Sequence, residues 1–138
     1  MKLHFLFPLG LALALPQLAA AQATNFLTAT KIGCAPDKVT RCSSDDKCES
    51  RDASAKDKAE VLVIDFAEKK AGVRSGDKVQ PFGTIVGDQV TGEERRFSIQ
   101  AGTDTSKAIA ITLSRSGKLT LLLDGNRHRA EATCTPES

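Results

Sequence analysis

An all-β fold, a small antiparallel up-and-down barrel or sandwich of about seven to nine strands, follows from three features of the sequence. Short runs rich in β-branched and aliphatic residues succeed one another, as in Val61-Leu62-Val63-Ile64 and Ile109-Ala110-Ile111-Thr112-Leu113. Turn signals punctuate them at Ser75-Gly76-Asp77, Gly87-Asp88, Ser116-Gly117 and Asp124-Gly125-Asn126. No segment after residue 23 carries the 3.6-residue apolar period of a sizeable helix.

A leader precedes the strands. Met1-Lys2-Leu3-His4 opens it, an apolar run follows from Phe5 to Leu15, and Pro16 interrupts that run. Ala19-Ala20-Ala21 and Ala21-Gln22-Ala23 each supply the small-x-small pattern of a cleavage site. This is the three-part layout of a secretory signal peptide. The run is shorter than the about 20 residues a spanning helix needs. Residues 1–23 are therefore expected to be a cleaved signal peptide, and residues 24–138 a single disulfide-bonded β domain. No cysteine closes the apolar run, so no lipid anchor is expected. No twin arginine is present, which favours export of an unfolded chain. The expected location is periplasmic or secreted, without membrane insertion of the mature chain.

The first strand is expected within Asn25–Lys31, where Phe26, Thr28 and Thr30 alternate. Residues 43–60 are polar and read as a solvated loop with a helical turn near Ala53–Ala59. Glu60–Phe66 reads as a buried strand and Ala71–Arg74 as its antiparallel return. Phe82–Val86 is a strand, with Gly87-Asp88 as a two-residue hairpin after it. Glu94–Ile99 sets Phe97 and Ile99 against charged neighbours. Ile109, Ile111 and Leu113 share one face, Leu119, Leu121 and Leu123 the next, and Ala130, Ala132 and Cys134 a third. These last three strands form a meander.

Four cysteines remain after the leader: Cys34, Cys42, Cys48 and Cys134. An even count in an exported chain implies two disulfides, and the spacing matches no zinc-knuckle pattern. Three connectivities exist. The favoured one closes Cys42 on Cys48 over the polar turn between them, which leaves Cys34 to join Cys134.

The formal charge is +2, and loss of Lys2 with the leader lowers it further, so no basic field points to nucleic acid. The chain has six phenylalanines and neither Trp nor Tyr, too few aromatic faces for stacking on bases or sugars. His128, between Arg127 and Arg129, has no sequence partner that would make it a catalytic base, and no G-x-S-x-G occurs. Asp45, Asp46, Glu49 and Asp52 lack the glycine-bearing spacing of a calcium loop and read as solvated charge. Asp65 reads as a strand-end carboxylate before a turn. No catalytic residue, cofactor site or metal site is assigned.

The spacing Cys34, Cys42, Cys48, the Val61–Phe66 strand with Lys69-Lys70 at its turn, and the terminal Thr133-Cys134 resemble small uncharacterised exported β-proteins of Gram-negative bacteria. A second resemblance, through Ser114-Arg115-Ser116-Gly117-Lys118 and Cys134, is to periplasmic inhibitors of C-type lysozyme, which are disulfide-tied β-barrels. Leu119 stands where that family has Tyr, and no Trp follows. The first group supplies no activity to carry over. The expected function is a non-catalytic binding module that uses loops on a rigid barrel, with an envelope or secreted protein as partner. The alternatives are a protein-directed inhibitor using the Ser114–Lys118 hairpin and, ranked last, a small hydrolase. Ser114, Arg115, Ser116, Lys118 and Arg127 are the expected contact residues, and a monomer is expected.

Overall fold

The computed structural model describes residues 25–43, 45–103, 108–123 and 127–138. The expected leader and the Asp124-Gly125-Asn126 turn lie outside the described residues. Nine strands are present: β1 (Lys31–Cys42), β2 (Cys48–Asp52), β3 (Glu60–Asp65), β4 (Lys70–Ser75), β5 (Lys78–Thr91), β6 (Glu94–Gln100), β7 (Ile109–Ser114), β8 (Lys118–Leu123) and β9 (His128–Pro136), with a one-turn helix α1 (Ala55–Lys58) between β2 and β3. Every strand pairs antiparallel with its neighbour in the order β2-β1-β3-β4-β5-β6-β7-β8-β9, and β1 also pairs with β9. Eight strands thus close into a barrel, with β2 as an addition. Of the two architectures the sequence allowed, this is the barrel.

Alternation decides which residues fill the interior. Ile32 and Cys34, Phe97 and Ile99, Ile111 and Leu113, Ala132 and Cys134 each stand two apart on their strands, Phe66 follows the end of β3 two residues after Ile64, and all are buried in one cluster with Leu119. A side-chain period of two places all of them inward. The Cys34–Cys134 bridge joins directly paired residues of β1 and β9 across the line where the barrel closes. The Cys42–Cys48 bridge joins the paired residues at the tip of the β1–β2 hairpin. Both bridges match the favoured connectivity.

Three elements differ from their expected form. Residues 25–30 precede the first strand as a turn segment: Asn25 Oδ1 accepts from the Leu27 N–H at 3.0 Å, and the Thr28 N–H donates to the Asn25 carbonyl. Phe26 and Leu27 are buried there, so the segment plugs one end of the barrel. The actual β1 begins at Lys31 and runs past Pro36-Asp37, a pair that breaks any apolar pattern. It survives because Pro36 falls in the gap between the β3 and β2 pairings and beside a bulge against β9.

Gly87-Asp88 is not a hairpin. It forms a bulge within the fourteen-residue β5, between Val86 and Gln89, and the chain reverses at Gly92-Glu93. Residues 43–60 are not all loop. They hold β2, whose residues are exposed throughout and so show no apolar period, and α1, capped by Ser54 and Asp57 in a capping box.

Candidate functional site

The plugged end gathers the N-terminal segment and the β3–β4, β5–β6 and β7–β8 turns. Arg95 lies at its centre. Its parity along β6 is that of Phe97 and Ile99, so its side chain points inward and is only 10 % exposed. Nε and Nη2 donate to the two carboxylate oxygens of Asp88 at 2.8 and 2.7 Å, and Nη1 donates to the Ala29 carbonyl at 2.9 Å. The guanidinium stacks 3.4 Å above the centroid of the Phe66 ring, which meets Phe97 edge-on. A planar fork satisfies a carboxylate, a backbone carbonyl and an aromatic face together, which an ammonium could not do. The bulge at Gly87-Asp88 delivers the carboxylate. Sequence reasoning did not single out Arg95, although its parity with Phe97 marks it as inward-facing.

The β7–β8 turn stands on this base. Gly117 has φ +92° and packs against the Phe26 ring, where a Cβ would come within 2.7 Å of a ring carbon. Its N–H closes the turn on the Ser114 carbonyl at 3.1 Å, and the Cys134 N–H donates to its carbonyl at 2.8 Å. Ser114 Oγ accepts from the Lys118 N–H at 3.0 Å and lies 3.0 Å from Ser116 Oγ. The Arg115 N–H donates to the Glu93 carbonyl, and the Phe26 N–H donates to the Arg115 carbonyl. Arg115 Nε also lies 3.0 Å from Glu93 Oε2, with both side chains more than half exposed. The turn is therefore fixed through its backbone and its serines, and its projecting side chains are Arg115 and Ser116.

The expected contact residues do not form one surface. Lys118 turns away from the tip and lies on the outer wall: Nζ donates to Thr133 Oγ1 at 2.8 Å, and Thr133 Oγ1 donates to Asp37 Oδ2 at 2.5 Å. Arg127 lies just before β9, at the opposite end of the barrel, separated from the turn by the length of β8, about 20 Å for six residues. His128 pairs across the ladders with Leu123 and Arg41, also at that far end. Asp65 accepts the Glu68 N–H at 2.9 Å and holds the β3–β4 turn. Among the described residues no cluster of His, Cys, Asp or Glu is arranged to hold a metal ion, and no helix is long and apolar enough to cross a membrane.

Comparison of the chain with family models, with curated proteins and with solved structures gave no match.

Proposed function

We propose that the chain is an exported, non-catalytic protein-binding module that presents the Ser114–Lys118 turn to an envelope or secreted protein. The seating of Gly117 on Phe26 carries this reading. A turn held by its own backbone loses little conformational freedom on binding, which is what a contact loop on a rigid scaffold requires. Arg115, a residue type favoured at binding centres, projects from it. The apolar leader with its Ala-x-Ala sites supports export, and so does the pairing of all four cysteines as disulfides.

The narrower reading, an inhibitor resembling those of C-type lysozyme, is favoured by the serines that lock this turn. With Lys118 bonded to Thr133, Arg115 and Ser116 would enter the target cleft and Lys118 would brace the wall behind them.

Oxidised protein purified from an exporting host and immobilised as bait tests both readings against an envelope fraction. Arg115→Glu is expected to abolish capture of a specific protein that the wild type and Arg127→Glu both retain. Identical capture by all three removes the turn as the contact site. Absence of lysozyme inhibition at stoichiometric amounts removes only the narrower reading.

A further inference from the structure

We infer that the free edge of β2 pairs with β2 of a second copy of this chain, forming a two-fold dimer centred on Ser50. Among the described residues β2 pairs with β1 alone, and all five of its residues are exposed. An open edge of this kind is a template for strand addition.

The backbone phase of that edge is fixed by its neighbours. Cys42 donates its N–H to Arg127, towards β9, whereas Ser43 donates to the Lys47 carbonyl and Ala53 to the Asp37 carbonyl. With Cys42 opposite Cys48 and Thr40 opposite Ser50, alternation assigns the bonds between β1 and β2 to the odd-numbered residues. The N–H and C=O groups of Cys48, Ser50 and Asp52 therefore face outward. A dyad through Ser50 sets Ser50 opposite Ser50 of the second copy and Cys48 opposite its Asp52, so every outward group meets a complement.

Charge selects this register over its neighbours. A dyad through Ser50 places Glu49 opposite Arg51 of the second copy, twice. Moving the dyad to residue 49 or to residue 51 would oppose two glutamates or two arginines, which repel across a ladder. Glu49 already faces Arg41 on its own β1, so each carboxylate would lie between two guanidinium groups. Arg51 Nη1 donates to Asp57 Oδ2 at 2.6 Å and to the outward Asp52 carbonyl at 3.2 Å, a contact the partner strand would share, and Nε and Nη2 remain for the partner's Glu49. On the other face the Thr40–Ser50 hydroxyl contact of 2.7 Å would continue across the dyad into the second copy. The edge is short, so the dimer is weak, and it lies at the end of the barrel away from the β7–β8 turn.

The oxidised protein in sedimentation equilibrium, from about 10 µM to about 1 mM, tests this pairing over the range a small interface occupies. The wild type is expected to shift from monomer to dimer mass. Glu49→Lys alone and Arg51→Glu alone are each expected to weaken association at least about ten-fold. An equimolar mixture of the two is expected to restore it, because the lysine introduced in one variant then faces the glutamate introduced in the other, while the native Arg51 faces the native Glu49. Ser50→Pro removes an outward N–H that makes no bond to β1, and is expected to abolish the dimer with an unchanged circular dichroism spectrum. A wild type that is monomeric throughout overturns the inference. So does a dimer indifferent to these substitutions, or a mixture that does not re-associate.

Discussion

Cys34 and Cys134 stand directly opposite one another on β1 and β9, bonded across the line where the barrel closes, at a sequence separation of 100. Cys42 and Cys48 repeat the arrangement over a separation of six. The two bridges constrain very different amounts of unfolded chain. Loop-closure entropy gives about 4.7 kcal/mol for the long loop and about 2 kcal/mol for the short one. Replacing Cys34 and Cys134 by Ala is therefore expected to lower unfolding free energy about 2–3 kcal/mol more than replacing Cys42 and Cys48, as read from urea denaturation. Equal losses from the two double variants would contradict the assignment of closure to the long bridge.

Arg95 is the most buried charge described in the barrel, and its partners are fixed in position around it. Arg95→Leu leaves the Asp88 carboxylate and the Ala29 carbonyl without their donor, at a cost of roughly 3 kcal/mol. Arg95→Lys keeps the charge but loses the fork and most of the stacking on Phe66, and is expected to cost more than half as much. Thermal unfolding of the two variants measures the order. A lysine variant as stable as the wild type would mean that the point charge alone matters.

Gly117→Ala meets two obstacles, a left-handed backbone conformation and the Phe26 ring. A loss of at least about 1 kcal/mol is expected. Combining it with Phe26→Ala removes the clash but not the backbone strain. The double variant should then lose less than the sum of the two single losses, by about 0.5–1 kcal/mol. Strict additivity would show that the ring and the turn do not press on each other.

Asp57 caps α1 and binds Arg51, and its carboxyl is held well below the usual carboxylate range, first by the hydrogen bond from Arg51 and then by those from Ser54. A depressed folded-state value means that the contribution of this cap is complete above the ordinary aspartate range. It declines as pH falls below that range and is gone once pH has passed the lower folded value. Carbon-detected NMR titration should find Asp57 still ionised at about pH 3, below the ordinary value near 3.9. Arg51→Gln should move its midpoint up towards that value. An unshifted midpoint in the wild type would remove the Arg51–Asp57 contact from solution.

The strands whose partners are inside the barrel were readable because burial writes a period of two into the sequence. Ile109 to Leu113 and Leu119 to Leu123 show it plainly. β2 leaves no such trace: all its side chains face solvent, and it forms by backbone pairing and a disulfide. β1 was hidden by Pro36-Asp37, tolerated only because the two strands on that edge of β1 leave a gap there. The reversal at Ser114, Arg115 and Ser116 was legible as a turn, since turn chemistry is local. The separation of Arg127 from them was not, because it depends on which end of the barrel each turn occupies. The Arg95–Asp88 pair was hidden for a related reason: it needs a bulge where Gly87-Asp88 looks like a hairpin.

The pairing of β1 with β9 also sets an order of events for a chain that emerges N-terminus first. Until its last nine-residue strand is free, the barrel stays open along both β1 and β8. Cys34 meets Cys42 and Cys48 long before Cys134 arrives. Strand β1 itself guards against the wrong bond: once extended, it holds Cys34 and Cys42 about 26 Å apart, beyond the reach of any disulfide. The Cys42–Cys48 hairpin can close early and take both competitors out of circulation. The only thiol then waiting is the one whose correct partner comes last.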